Sequence, residues 1–157
     1  MTVLSSAGFS RTQQYRYWLK REWSAALPSC AFIGLNPSTA DASCDDPTIR
    51  RIIGFAQNWG YGSVTVVNLF AYRATQPSVL KAAENPVGPR NNYWIRRVIA
   101  EADTVIAAWG NHGLFMGRNK WALDHIYGLY CLGISKQGQP RHPLHCPREA
   151  VLEPLKE

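Results

Sequence analysis

The chain has 157 residues, 46% of them hydrophobic and 18% charged, which sets it among single-domain globular proteins and excludes a disordered chain. Lysine and arginine total 17 against 11 aspartates and glutamates, a net charge of +6 that favours a polyanionic partner. No apolar run is long enough to span a membrane and residues 1–11 lack a signal-peptide core, so the expectation is a cytoplasmic protein with no membrane partner.

In chain order, residues 15–23 alternate Tyr15, Tyr17 and Leu19 with Arg16, Lys20 and Arg21, which predicts an edge strand or hairpin arm within an N-terminal arm spanning 1–28. Residues 31–35 read as a central strand. The loop 36–46 carries Ser38, Asp41, Asp45 and Asp46, and Asp46-Pro47 reads as an N-cap followed by proline at the first helical position. That helix is expected to run to about Trp59, with Ile49, Ile52, Ile53 and Ala56 on its apolar face, until Gly60-Tyr61-Gly62 stops it. A strand over 64–70 follows, then a short helix over 75–83 capped by Thr75 or Ser78, and a proline- and glycine-rich break at 85–89.

Pro89 is expected to open a helix reaching about Ala102, burying Trp94, Ile95, Val98 and Ile99. Residues 104–109 read as a third parallel strand, 110–117 as a glycine-rich turn into a helix over 118–127, and 129–134 as a fourth strand. A loop-rich tail covers 135–157. Strands alternating with helices predict one α/β domain over 1–157, a three-layer α/β/α sandwich with a mostly parallel four-stranded central sheet. Trp59, Trp94 and Trp121 are expected in the core. Of the four cysteines, Cys30 and Cys131 lie in apolar runs and read as core thiols; none forms a Cys-x-x-Cys pair, and no metal or other cofactor is expected.

The apolar run into Gly34-Leu35-Asn36-Pro37-Ser38 places an amide at the carboxyl end of a buried strand, where open α/β sheets put their ligands. Asn36 reads there as a turn former or as a ligand-facing group. Asn68 closes the next strand, as a local cap or as a second amide on the same cleft. Trp109-Gly110-Asn111-His112 closes the third, and Arg141-His142-Pro143-Leu144 follows the fourth. Three strand ends finishing in an amide or imidazole predict one shared cleft. Arg50, Arg73, Arg118, Arg141 and Arg148 fall just after strand ends and would ring it with positive charge. Asp41, Asp45 and Asp46 read as a magnesium site or, for Asp46, as the helix cap.

In order and spacing, these four motifs resemble the uracil-DNA glycosylase superfamily. Its members carry a Gly-x-Asp/Asn-Pro motif after the first core strand, and some a His-Pro-Ser loop after the fourth. Some have an Asn ending the second strand and a Trp-Gly-x-His turn after the third. The chain as a whole also resembles the domain-of-unknown-function family 1643, whose membership implies no activity.

The glycosylase resemblance spans 30–144 and implies a uracil-DNA glycosylase-like fold and hydrolysis of an N-glycosidic bond of a nucleobase in nucleic acid or a nucleotide. It implies that Asn36 positions water, that Asn68 reads the edge of a flipped base, and that His142 stabilises charge on the departing base. Leu144 would stand near the wedge that fills the vacated stack, and His112 matches the Trp-Gly-x-His position. Ser38 joins the substrate-binding set. Phe70, Tyr72 and Trp109 are candidates to stack on the base, and Arg50, Arg73 and Arg141 to contact phosphate. The chemistry needs donors placed in advance for the anionic leaving group, and extrusion of the base beforehand. Two departures stand out. The first motif has Asn, which can orient water but is no strong general base, and the last is His-Pro-Leu-His, without the serine. Two other readings remain open: a non-catalytic nucleic-acid or nucleotide-binding module, and a metal-dependent phosphohydrolase using the aspartate loop.

Overall fold

The computed structural model describes residues 2–155. Its first element is a strand, β1 (Leu4–Phe9), paired antiparallel with β2 (Arg16–Glu22) from Leu4 opposite Glu22 to Gly8 opposite Trp18. Gly8 is required there, because a Cβ at that position would overlap the Trp18 indole. Strand β2 is thus one arm of a hairpin, but it lies inside the sheet, since its other edge pairs antiparallel with β4 (Ser63–Asn68).

Beyond β4 come β3 (Ser29–Gly34), β5 (Thr104–Ala107) and β6 (Tyr130–Cys131), each parallel to its neighbour, and then the antiparallel β7 (Glu153–Pro154). The sheet is mixed and has seven strands in the order β1-β2-β4-β3-β5-β6-β7, which corrects the expected four. The extra strands lie outside the parallel pairs: the β1–β2 hairpin at one side, and β7, from the supposed tail, at the other.

Strand alternation divides the core in two. Cys30, Phe32, Val64, Val66 and Ile106 pack with Ile49, Ile52, Phe55 and Ala56 of α1 (Pro47–Asn58). Ile33, Val67 and Ala107 point the other way, toward α2 (Pro77–Ala82), α3 (Asn91–Glu101) and α4 (Arg118–His125). Helices therefore cover both faces, and the inner strands read as unbroken apolar runs because neither side meets water.

Helix α1 starts as its sequence predicts: Asp46 sits in extended backbone, its carboxylate accepts from Ile49 N at 2.9 Å, and Pro47 takes the first helical position. Helix α2 does not, since Gln76 precedes Pro77 and no side chain caps it, neither Thr75 nor Ser78. In α3 only Ile95 of the four expected residues is fully buried; Trp94, Val98 and Ile99 are half-buried. Trp59 and Trp121 are half-buried as well, and the tryptophan in the core is Trp109. The expected fourth strand shrinks to Tyr130–Cys131. Cys30, Cys131 and Cys146 are buried free thiols and Cys44 is exposed.

Arg21, buried in β2, anchors the loop that leads from β3 to α1. Its Nε donates to Asp45 Oδ1 at 2.9 Å and its Nη2 to the carbonyls of Asp41 at 2.7 Å and Cys44 at 3.3 Å. Asp41 accepts from the backbone of Ser43 and Cys44, and Asp46 caps α1. The three aspartates proposed for magnesium are thus each engaged in holding the loop. Among the described residues no group of three His, Cys, Asp or Glu is placed to hold a metal ion, and no helix is long and apolar enough to cross a membrane.

Candidate functional site

The parallel pairing of β3 with β4 sets Gly34 beside Asn68. The two chains stay zipped beyond the sheet, with Leu69 N donating to Gly34 O at 2.9 Å, Phe70 N to Leu35 O at 2.9 Å and Ala74 N to Pro37 O at 3.0 Å. The glycine at 34 makes room for the amide, since a Cβ there would stand 2.7 Å from Asn68 Oδ1. The end of β4 is clamped from the helical side. Asn91 Nδ2 donates to the carbonyls of Asn68 at 2.8 Å and Leu69 at 3.0 Å, and Arg118 Nε donates to Leu69 O at 3.0 Å. Burial lowers Arg118 to about 10.

At these strand ends lies a cavity of about 50 Å³ walled by Arg16, Asn36, Ser38, Asp46, Asn68 and His142, among others. Asn36 donates from Nδ2 to Ala74 O at 2.8 Å and Pro37 O at 3.0 Å, so the amide braces its own loop and Oδ1 is the atom left for a ligand. Asn68 is only 3% exposed and its Nδ2 has no hydrogen-bond partner. Arg16 is 2% exposed and donates from Nη1 to Ala40 O at 3.1 Å, while its Nε has no partner. Desolvation lowers Arg16 to about 10, against the opposing pull of Asp46.

His142 precedes a 3-10 turn, Pro143–His145, and caps it by accepting from Leu144 N at Nδ1, 3.2 Å away. With Nδ1 an acceptor, the neutral ring carries its hydrogen on Nε2. Burial, and next the neighbouring His145, push its pKa down to about 4, with Asp46 acting the other way. The ring is therefore a neutral donor at pH 7.

That shift has a consequence for acid stability. An unfolded histidine titrates near about 6.5, so between there and the folded value of about 4 the unfolded chain binds a proton that the folded one refuses. The stabilising contribution is complete above the unfolded pKa and is lost as pH falls through the folded one. A His142→Gln variant is expected to lose less stability than the wild type between pH 7 and pH 4.5, measured as the shift in urea midpoint. An equal loss in both proteins would contradict an imidazole held neutral by its half-buried position.

A second cavity, of about 340 Å³, shares Leu35 and His142 with the first and is also lined by Trp109, His112, Lys136 and Arg141. Trp109 forms its wall, with Nε1 donating to Gln139 Oε1 at 3.0 Å and Gly113 lying against the ring where any Cβ would overlap it.

Asn36, Ser38, Asn68 and His142 thus share the smaller cavity, and Trp109, His112, Arg141 and His142 the larger one. The other expected site residues lie elsewhere. Phe70 is fully buried against Phe115 and offers no face for stacking. Tyr72 is half-buried and packs edge-on against Tyr15. Arg73 is held to the N-terminal hairpin, over the Phe9 ring at 4.9 Å and bonded to Gln13 O at 3.2 Å. Arg50 and the exposed Leu144 line a third groove, of about 470 Å³, with Arg51 and Arg148.

Arg16 and Asn91 were missed as site residues, and Arg118, expected among the cations ringing the cleft, is instead buried and bonded to Leu69 O. The even spacing of cations with tyrosines places Arg16 on a solvent face, and nothing in a lone Asn or Arg at a helix start signals burial.

The family model described as "Protein of unknown function (DUF1643)" matches residues 16–144. The chain belongs to this family. The match runs from the first residue of β2 to Leu144 and takes in all the residues named on the smaller cavity. No curated protein and no solved structure matches the chain.

Proposed function

We propose that this DUF1643 protein is a uracil-DNA glycosylase-like hydrolase that cleaves the bond between a nucleobase and its sugar in nucleic acid or a nucleotide. The observation that carries this reading is the meeting of Asn36, Asn68 and His142, from three separate stretches of chain, on one cavity. The ring of the base occupies the larger compartment, and only its polar edge enters the smaller one. Asn36 Oδ1 accepts a hydrogen bond from the attacking water and orients it. The amide of Asn68 offers a donor and an acceptor to the base edge. His142 Nε2–H donates to the oxygen on which negative charge collects as the bond breaks, and a neutral donor held in place needs no reorganisation to do so. Arg50, Arg51, Arg141 and Arg148 hold phosphates on either side, with the exposed Leu144 among them. The free cysteines suit a reducing, cytoplasmic compartment.

A second reading, a binding module without catalysis, draws on the two bonds that make Asn36 a brace of its loop. The variant Asn36→Ala separates the two. Under the hydrolase reading it abolishes release of free base from a modified oligonucleotide, while salt-sensitive binding survives. A wild-type protein that binds with strong salt dependence and releases no base supports the module.

A further inference from the structure

Arg16 and Asn68 share a condition that the catalytic reading does not use. Both are buried on the smaller cavity, and each carries a nitrogen without a partner, Nε of Arg16 and Nδ2 of Asn68. Ion pairs among the described residues join Lys20 to Glu22 and Arg21 to Asp45, so no carboxylate lies within 4.0 Å of the Arg16 guanidinium. Asp46 lines the same cavity and its charge acts on Arg16 from beyond 4.0 Å, but its oxygens accept from Ile49 N at 2.9 Å and Ala40 N at 3.3 Å and make no hydrogen bond to the guanidinium. The other polar walls, Asn36, Ser38 and Thr48, are neutral. A cation taken out of water is normally paired, and an unpaired buried donor is costly to leave unmade. A partner that carries negative charge and accepts hydrogen bonds would satisfy both nitrogens.

We propose that the smaller cavity is a receptor for an anionic oxygen on a small planar group, a carboxylate or the ionised oxygen of an acidic ring, with Arg16 and Asn68 as its recognition residues. The volume of about 50 Å³ suits such a group and not a whole nucleotide. The inference deepens the function proposed above and rests on it only for the claim that the oxygen belongs to a base. His142 Nε2–H is a third donor for the same oxygen.

The test is ¹H–¹⁵N NMR of the Arg16 Nε–H and the Asn68 amide, with sodium formate, sodium barbiturate and neutral formamide titrated in at constant ionic strength. Saturable shifts of both signals with formate or barbiturate are expected, with formamide weaker by at least about tenfold because it lacks the charge. Tighter binding of barbiturate assigns the oxygen to a ring, and tighter binding of formate assigns it to a carboxylate. Arg16→Met is expected to weaken anion binding about tenfold to a hundredfold, read at Asn68, whereas Lys20→Gln, which removes the same charge from the same strand, leaves it unchanged. Should Arg16→Met fail to fold, Arg16→Lys keeps the charge, loses the fork and is expected to weaken binding too. No saturable shift with either anion, equal affinity for formamide, or an unchanged affinity in a folded Arg16 variant overturns the proposal. Base release without anion binding sinks this inference alone; anion binding without base release sinks the hydrolase reading alone.

Discussion

Replacing His142 with alanine is expected to slow base release by on the order of a hundred- to a thousandfold, the usual cost of losing one donor aimed at a developing oxyanion. Oligonucleotide affinity should be nearly unchanged, because the donor matters most once the glycosidic bond has begun to break. The state of the ring makes the expectation specific. Nδ1 is occupied by Leu144 N, and the pKa of about 4 keeps the ring neutral at pH 7, so Nε2–H is the donor there. His142→Gln retains a neutral donor on a side chain of similar reach and is expected to recover part of the rate. Single-turnover kinetics of both variants check this. Equal losses in the alanine and glutamine variants would mean that His142 serves only to cap the 3-10 turn.

The second large effect concerns stability. Trp109→Ala is expected to cost about 3–5 kcal/mol, in the range for removing a large aromatic from a packed interior. Trp109 is 1% exposed, belongs to the core on the α2–α3–α4 side, and supplies the hydrogen bond to Gln139, itself buried. Truncation opens a void beneath the larger cavity and leaves the Gln139 carbonyl without its donor. Gly113 packs against the indole so closely that no side chain is available there to refill the space. Urea denaturation measures the loss. A change below about 1 kcal/mol would contradict the role of Trp109 as the wall between core and cleft.

The contrast between these residues shows what the amino-acid sequence makes legible. The inner strands and α1 are readable because they obey local rules: apolar runs for strands buried on both faces, and Asp46-Pro47 for a helix start. The meeting of Asn36, Asn68 and His142 follows from the same rules, since parallel strands bring their carboxyl ends to one side. Strand β1 is not readable, because Leu-Ser-Ser-Ala-Gly-Phe has no alternation of apolar and polar residues and gains its place only by pairing with β2.

That hidden strand also accounts for the arginines. With β1 outside it, β2 is an inner strand: Arg21 is buried on the face of Tyr17 and Leu19, and Arg16 is buried where its spacing alone suggests solvent. Phe70 and Arg73 failed as site residues for a related reason. The chain beyond Asn68 runs on beside the loop from β3, sending Phe70 into the core and Arg73 to the hairpin, and such a path is set by tertiary hydrogen bonds that leave no local pattern.

The claim at the centre is that these amides and this imidazole serve one reaction on a nucleobase. Mass spectrometry of a pool of oligonucleotides, each bearing one modified base, after incubation with the wild-type protein and with Asn36→Ala, tests it most directly. The account predicts free base and an abasic strand from at least one member of the pool with the wild type, and from none with Asn36→Ala. Intact strands throughout, or equal release by both proteins, would contradict it.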